Sequence, residues 1–345
     1  MKVVNSGILE CGDIILTTSI QKVSSVIRAV TNSDISHAMI CLSKGSIVDS
    51  TSEGVQARNI EKMLFNDESE IYILRSKTPL TDNQINNIET YVRSIIGTSY
   101  SMREAAASAL PLLSKKTTRK QFCSRMVARA YSFSGIELVD NPDYCTPEDI
   151  KKSDKLKIIE PASINISDDE VVELSSIEDT TQLMRDATRT LLTAIRRIDK
   201  RVEEVNDIDN LIIMRPSLDK KITKALIKSN YIEYSKKDPS RFPWRYDPLS
   251  MIQFYHAAEE QNEGELVINY CRRTIEEDNN GNFFHWKTML EHYSRLSSKY
   301  NFEYFRMMTN LYLNLNFNHH MRIQSANALL TITNNKLINP SKNTN

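Results

Sequence analysis

The sequence predicts a chain in two parts: an N-terminal part in which short strands and helices follow one another, and a C-terminal part built almost entirely of helices. Short apolar runs bounded by turn residues predict strands in the first part, for example at residues 14–16 and 71–74. The acidic stretch that begins at Asp168 separates these runs from long segments with helical spacing. Only 8 of the 345 residues are glycine, which favours long helices and few tight turns.

Charge and hydropathy exclude several classes of protein. Lysine plus arginine and aspartate plus glutamate both number 44, so the chain has no net charge that would attract nucleic acid. No uncharged apolar run reaches the roughly 18 residues of a transmembrane helix, and the N-terminus lacks the pattern of a signal peptide. We therefore expect no transmembrane segment, and either a cytoplasmic protein or one exported without a signal peptide by a dedicated secretion system.

The five cysteines are widely spaced and include no Cys-x-x-Cys pair. This spacing argues against a disulfide framework and against a zinc site, and it fits a reducing compartment. Five of the six histidines lie in the second half of the chain, without metal-ligand spacing to acidic or cysteine residues. We expect neither a metal ion nor a cofactor.

Helical spacing of apolar residues predicts helices in the first part as well. One is expected at residues 19–30, and another begins after the capping residue Thr81 and ends before Gly97. The pair Thr146-Pro147, followed by two acidic residues, predicts the start of a further helix.

A predicted hairpin brings a histidine and a carboxylate together. Residues 37–42 and 46–51 predict two strands joined by a three-residue loop that ends in a glycine with left-handed backbone. This register places Met39 opposite Asp49. His37 and Asp49 are then diagonal neighbours on one face of the hairpin, about 7–8 Å apart at the backbone. An imidazole beside a carboxylate is a base with a group that orients it.

A cysteine at the front of a predicted helix is the best candidate nucleophile. Residues 121–131 carry apolar residues at helical spacing, and Cys123 lies in the first turn. The unpaired N–H groups and the positive dipole of a helix N-terminus lower a thiol pKa from about 8.5 toward neutrality. Core packing is the common alternative for a cysteine on an apolar stripe. Cys145, which precedes a helix, is the rival nucleophile, and Cys41 is interpreted as core.

Cys123, His37 and Asp49 together have the parts of a thiol triad. A cysteine nucleophile needs a base within hydrogen-bonding reach and a third group that holds the tautomer of that base. His37 is the only histidine in the first 255 residues. The base therefore precedes the nucleophile in the chain.

The order of these elements resembles the circularly permuted NlpC-type papain-like hydrolases of the YiiX/YebB-like branch, with lecithin:retinol acyltransferase-like enzymes as wider relatives. The resemblance covers about residues 8–157. The matching elements are Gly12-Asp13 with its strand, Ser36-His37 with its strand, Asp49 as the third polar residue, the Gly97-x-x-Tyr100 element, and the nucleophile helix at Phe122-Cys123-Ser124. One departure is Ser101, where the family pattern often has aspartate.

The resemblance implies an α+β first domain, with a small antiparallel sheet packed against the cysteine helix, followed by an all-α domain. It also implies acyl transfer: Cys123 attacks an amide or ester carbonyl, His37 acts as base and then acid, and Asp49 orients the imidazole. The expected oxyanion or substrate-binding groups are the backbone N–H of Cys123 and the residues Tyr100, Ser124 and Ser36.

Three functions fit these observations. The first is a cysteine hydrolase that cleaves an amide bond in a peptide or a cell-wall peptide. The second is a thiol acyltransferase or a lipid hydrolase with the same triad, acting on a lipid-derived acyl substrate. The third is an inactive papain-like scaffold that acts through its helical domain.

The predicted domains are a thiol hydrolase domain at 1–165, an acidic connector at 166–180, an all-helical domain for partner binding or self-association at 181–335, and a disordered tail at 336–345. Apolar residues repeat in steps of four and three from Met184 to Val205, over about three heptads. This seam predicts either a helix packed on its own domain or a pairing through 184–205 with a second copy or a protein partner. The boundary implies that residues 1–165 fold alone.

Overall fold

A computed structural model describes residues 1–18, 35–43, 45–108, 118–176 and 179–338. By its internal contacts the chain divides into a first unit, Met1–Leu211, and a second unit, Ile212–Asn345. The helix predicted at 19–30 and most of the predicted tail lie outside the described residues.

The first unit combines short strands with helices. Its described strands are β1 (Lys2–Val4), β2 (Ile14–Thr17), β3 (His37–Ser43), β4 (Ser46–Thr51), β5 (Gly54–Asn59), β6 (Ile71–Ser76), β7 (Leu156–Ile159) and β8 (Ser163–Asn165). Its described helices are α1 (Asp82–Ser94), α2 (Met102–Ser108), α3 (Cys123–Phe133), α4 (Pro147–Lys151), α5 (Asp168–Ser176), α6 (Thr180–Arg196) and α7 (Asn206–Met214), the last of which crosses into the second unit. Short 3₁₀ turns lie at Ser6–Ile8 and Ile60–Lys62.

The main sheet is antiparallel and has the strand order β5-β4-β3-β2-β6-β7, while β1 pairs separately with β8. Side chains alternate across this sheet, so Ile14 and Leu16 belong to one core cluster and Ile15 to another. The first cluster includes apolar residues of α1 and α3, which cover one face of the sheet. The α+β prediction is confirmed.

The predicted hairpin is present with the predicted register at its centre. β3 pairs with β4, and Met39 lies opposite Asp49. Gly45 has φ of 80°, a left-handed backbone that other residues rarely adopt. β5 continues the sheet beside β4, with Gln56 opposite Asp49.

The predicted helix starts are also confirmed. Thr81 caps α1 and shares a reciprocal pair of hydrogen bonds with Gln84, as in a capping box. Thr146 caps α4 in the same way with Asp149, and Pro147 occupies the first helical position, where its missing N–H costs nothing.

The structure differs from the sequence prediction at the boundary between the two parts. The predicted boundary lay at 166–180, whereas the contact division falls after Leu211. α6 ends at Arg196, so the apolar seam of 184–205 does not continue along one helix. Leu191 and Ile195 of that seam are fully buried inside the first unit. Self-association through this stripe would require that internal packing to open.

The described part of the second unit is helical, as predicted. It contains α8 (Asp219–Lys228), α9 (Tyr234–Arg241), α10 (Pro248–Glu260), α11 (Gly264–Asn279), α12 (Phe284–Lys299) and α13 (Glu303–Ile338), with 3₁₀ turns at Pro216–Leu218 and Pro243–Tyr246. Met251, Cys271 and Leu329 belong to its core. Among the described residues, no helix combines the length and apolar character needed to cross a membrane.

Candidate active site

Cys123 is the first residue of α3 and is nearly buried, with 3% of its surface exposed. The preceding residue, Phe122, takes the capping position but has no side-chain oxygen that could accept the first N–H groups of the helix. The positive end of the helix dipole therefore faces the sulfur and any negative charge that develops beside it.

His37, at the start of β3, contacts the other two members of the predicted triad. Its Nε2 lies 3.4 Å from Oδ2 of Asp49, and the Cys123 thiol lies close enough to the ring to raise the pKa of His37. The hairpin supplies the base and the carboxylate, and α3 packs on the same sheet and supplies the sulfur. The structure thus brings together three residues that are far apart in the sequence.

The environment of His37 favours the protonated ring. Burial acts to lower the pKa of His37, but the hydrogen bonds to Asp49 and Cys123 and the charges of these two groups outweigh it and raise the pKa to about 10. An imidazolium between a carboxylate and a thiolate is the resting arrangement expected of an activated cysteine nucleophile.

Asp49 has a second partner that the sequence analysis missed. Arg58 of β5 donates from Nε to both carboxylate oxygens of Asp49, at 2.9 and 3.0 Å. Its Nη2 donates to Oε1 of Gln56 at 3.1 Å. The carboxylate is buried, so the guanidinium compensates a charge that would otherwise be costly there. The alternation of apolar Val55 and Ala57 with polar Gln56 and Arg58 was the sequence signal for this strand.

Tyr100 lies close enough to Cys123 for the two groups to influence each other electrostatically. Burial, and then the negative charge of Cys123, raise the pKa of Tyr100 well above its usual value, so the phenol keeps its proton. The backbone positions Tyr100 beside the residues that precede the nucleophile: Ser101 N donates to Gln121 O at 2.9 Å, and Gln121 N donates to Ser99 O at 3.0 Å.

The two serines of the predicted substrate-binding set are buried. Ser124 is buried, and its Oγ donates to the backbone carbonyl of Cys145 at 2.6 Å. Ser36 is also buried, and its backbone N–H donates to Thr17 O at 3.1 Å. Helical and strand periodicity identified the neighbours of Cys123 and His37 but not the direction of their hydroxyl groups.

Cys145, the rival nucleophile, has an unfavourable environment for a thiolate. Burial, with the charges of Asp149 and Cys123, raises the pKa of the Cys145 thiol far above its usual value. Cys41 is buried in the sheet, and burial likewise raises the pKa of its thiol. Its predicted place in the core agrees with the structure.

The Gly12-Asp13 element of the family pattern has a structural role in this chain. Asp13 is buried and accepts two hydrogen bonds from Arg75, at 2.8 and 2.7 Å. Tyr131, on the cysteine helix, donates its hydroxyl to Gly12 O at 2.7 Å. These contacts attach the far end of α3 to the sheet.

A buried ion pair holds the other end of α3. Arg125, which is fully buried, contacts Glu104 of α2 through Nη1 and donates from Nε to Asp143 O at 2.9 Å. Hydrogen bonds and the charge of Arg125 lower the pKa of Glu104 although burial acts to raise it. The pair fixes the first turn of the helix that carries Cys123.

No metal site accompanies the triad in the residues that the structure describes, where no group of three or more histidine, cysteine, aspartate or glutamate side chains is placed to hold an ion. The donors around Cys123 are instead an imidazole, a phenol and backbone N–H groups. This set suits charge stabilisation during acyl transfer.

A histidine on a strand that precedes the cysteine helix matches the order expected of a permuted papain-like site. Comparison with known proteins agrees: residues 8–168 match the family described as permuted papain-like amidase enzymes, YaeF/YiiX, C92 family. At this coarse level the N-terminal part of the chain is a cysteine-type amide hydrolase.

Among solved structures, the chain is similar to the crystal structure of the metalloprotein yiiX from Escherichia coli O157:H7. The two share 16% sequence identity over 44% of this chain and 96% of that chain, with a TM-score of 0.36. No curated protein matches the chain.

Proposed function

We propose that the protein hydrolyses an amide bond through an acyl-enzyme on Cys123, with His37 as proton carrier and Asp49 as its orienting group. The observation that carries this proposal is the position of His37, whose ring contacts both the Asp49 carboxylate and the Cys123 thiol. The family match supports an amide bond as the bond that is cleaved, and the substrate that we propose is a peptide or a cell-wall peptide.

The first half of the reaction forms the acyl-enzyme. His37 holds the proton of the Cys123 thiol, so the thiolate attacks the carbonyl carbon and a C–S bond forms. When the C–N bond breaks, the imidazolium of His37 gives its proton to the departing amine. The amine leaves, and the thioester on Cys123 remains.

In the second half, neutral His37 takes a proton from water, and the resulting hydroxide attacks the thioester carbonyl. The C–S bond breaks, the carboxylic acid leaves, and the thiolate-imidazolium pair is restored. An amine or hydroxyl acceptor in place of water would make the same protein an acyltransferase. The products of the reaction distinguish these two outcomes.

Two donors suit the oxyanion of each tetrahedral intermediate. The backbone N–H of Cys123 lies at the N-terminus of α3, where the helix leaves it without an intrahelical acceptor. The phenol of Tyr100, which keeps its proton beside Cys123, is the second. Removal of one such donor costs about 10²- to 10³-fold in kcat.

The test is mass spectrometry of the intact protein after exposure to acyl-peptide and cell-wall peptide extracts. We expect an acyl adduct on Cys123 in the wild type, and its loss in Cys123→Ala. Cys145→Ser is the matched control, because the carbonyl of Cys145 that accepts from Ser124 is backbone and survives the change. An adduct that persists in Cys123→Ala would contradict the proposal.

A further inference from the structure

A segment outside the family match contacts the part of the chain that carries Tyr100. The family match ends at residue 168. In contrast, α6 and the turns after it belong to the first unit, which also contains Cys123, His37 and Asp49. We call residues 180–207 the brace segment. It contacts two backbone stretches that lie beside Cys123: the stretch that leads to Tyr100 and the stretch that leads to Cys123 itself.

The first contact is with the backbone of Gly97, three residues before Tyr100. Arg196, at the end of α6, donates from Nη2 to Gly97 O at 2.8 Å. A Cβ at Gly97 would lie 2.3 Å from Cδ1 of Leu192, and Gly97 has φ of 90°. Only glycine allows the helix to approach this closely.

The second set of contacts involves Thr98, which precedes Tyr100, and Arg119, which precedes Cys123. Thr98 donates its hydroxyl to Oε2 of Glu204 at 3.3 Å. Arg119 donates to Oε1 of Glu204 at 3.2 Å and to Oδ1 of Asp207 at 2.9 Å. Glu204 therefore links the stretch before Tyr100 with the stretch before Cys123.

These two stretches are hydrogen-bonded to each other at the site. Tyr100 and Gln121 form an isolated parallel bridge, and Gln121 lies two residues before the nucleophile. The same stretch also pairs with β5, because Val55 N donates to Thr98 O at 2.9 Å. A shift of Gly97 and Thr98 would therefore move the phenol of Tyr100 relative to the sulfur.

Two further arginines of α6 contact β5, the strand that carries Arg58, and the residue just before it. Arg189 donates from Nη1 to Oε1 of Glu53 at 2.9 Å, and Arg185 donates from Nη1 to Ala57 O at 3.4 Å. The brace segment thus touches the elements that position both the oxyanion donor and the orienting carboxylate.

We propose that the brace segment is part of the working active site, and that Arg196 is a positioning residue that fixes Tyr100 through the backbone of Gly97. This inference rests on the proposed amidase reaction for its effect on turnover. It extends the functional unit beyond the region matched by the family.

The chemistry of Arg196 explains why an arginine is needed. Its guanidinium donates to Gly97 O, to Val202 O at 3.0 Å and to Glu203 O, so a single rigid fork ties the loop to the turn after α6. A lysine has a single nitrogen on a flexible stem and cannot reproduce this fork. Arg196→Met leaves three carbonyls without that donor.

The first readout is independent of turnover. Hydrogen exchange of the backbone N–H groups of Ser101 and Gln121 reports the pairing beside the site. We expect Arg196→Met to accelerate both, Arg196→Lys to do so less, and Arg197→Met to have no effect, since Arg197 is exposed on the same helix end. Unchanged exchange rates of both N–H groups in folded Arg196→Met would contradict the proposed role of Arg196.

The second readout is kcat on an amide substrate. We expect Arg196→Met to lower kcat by about 10- to 100-fold with little change in KM, because a displaced oxyanion donor acts in the transition state. Added to Tyr100→Phe, the change should cause little further loss, because both act through one phenol. Additive losses would overturn the positioning role.

The two readouts separate this inference from the proposed function. Arg196→Met could accelerate hydrogen exchange of the Ser101 and Gln121 N–H groups while the wild type shows no amidase turnover. That result would refute the proposed amidase reaction but would support the proposed positioning role of Arg196. Arg119→Met provides a second variant if Arg196→Met does not fold, because Arg119 is mostly exposed and still contacts Glu204 and Asp207. It should accelerate exchange at the same two N–H groups, and unchanged exchange there would count against the brace.

Discussion

Arg58 and Asp49 are joined by a two-point contact, in which one guanidinium nitrogen donates to both oxygens of a buried carboxylate at 2.9 and 3.0 Å. Oδ2 of the same carboxylate also lies 3.4 Å from Nε2 of His37. Asp49 therefore contacts both a guanidinium and an imidazole. This arrangement fixes the carboxylate that orients the imidazole.

We predict that Arg58→Met lowers turnover by about 10- to 100-fold, because Asp49 loses the group that fixes its plane. Arg58→Lys should recover part of the activity, since a lysine restores the charge without the fork. Steady-state kinetics on an amide substrate measure both. Arg93→Met, which breaks a salt bridge with Glu89 on α1, is the control and should leave kcat unchanged. Equal kcat in Arg58→Met and wild type would refute a role for the guanidinium.

His37 predicts a pH dependence of stability. Its pKa is about 10 in the folded protein against 6.5 for the free side chain, because hydrogen bonds to Asp49 and Cys123 outweigh burial. The folded state binds the proton more tightly, so this contribution to the free energy of unfolding is complete below about pH 6.5 and is lost as the pH rises through about 10.

The comparison of wild type with His37→Gln measures this contribution. We expect the difference in their free energies of unfolding to shrink steadily as the pH rises from about 6 to 10. Urea unfolding of the sheet, followed by hydrogen exchange of β3, isolates the first unit. A difference that grows with pH would show that the imidazolium is not the favoured form.

The hairpin and the cysteine helix could be predicted because local rules fix them. The turn that contains left-handed Gly45 is one residue shorter than predicted, because Ser43 pairs with Ser46 after a register shift, but Met39 still lies opposite Asp49 and the hairpin still places His37 beside Asp49. Helices could be predicted for the same reason, because apolar residues recur with a period of 3.6 residues and a capping residue such as Thr81 marks where a helix begins.

The rest of the site depends on contacts that leave no local pattern. Arg196 and Gly97 are 99 residues apart in the sequence, and no periodic pattern of residues predicts the hydrogen bond between them. The apolar face of α6 has the same heptad spacing whether it packs on its own unit or on a partner. Alternation in β5 marks a strand, but it does not tell which carboxylate the guanidinium of Arg58 contacts.

We predict that Cys123 reacts first with iodoacetamide at neutral pH. Burial raises the pKa of Cys11 to about 12 and that of Cys271 to about 12, so these thiols stay protonated and unreactive. Peptide mapping after brief labelling identifies the modified residue, and His37→Gln should slow the reaction at Cys123. Labelling of Cys11 as fast as Cys123 would contradict the assignment of the nucleophile.

The last prediction concerns the end of the functional unit. The acidic stretch suggested that residues 1–165 fold alone, but Leu191, Leu192 and Ile195 of α6 are fully buried in the first unit. Burial of each such side chain contributes about 1.5–3 kcal/mol, and a domain has only about 5–15 kcal/mol in total. Removal of α6 should therefore cost a large share of the stability.

Two truncations test this expectation. A chain of residues 1–214, which ends where α7 ends, should fold cooperatively and keep the iodoacetamide reactivity of Cys123. A chain of residues 1–165 should melt at a clearly lower temperature or aggregate, because the apolar surface that α6 covers becomes exposed. Calorimetry with thiol labelling compares the two. Equal melting temperatures and equal labelling rates would place the boundary at the acidic stretch and remove α6 from the site.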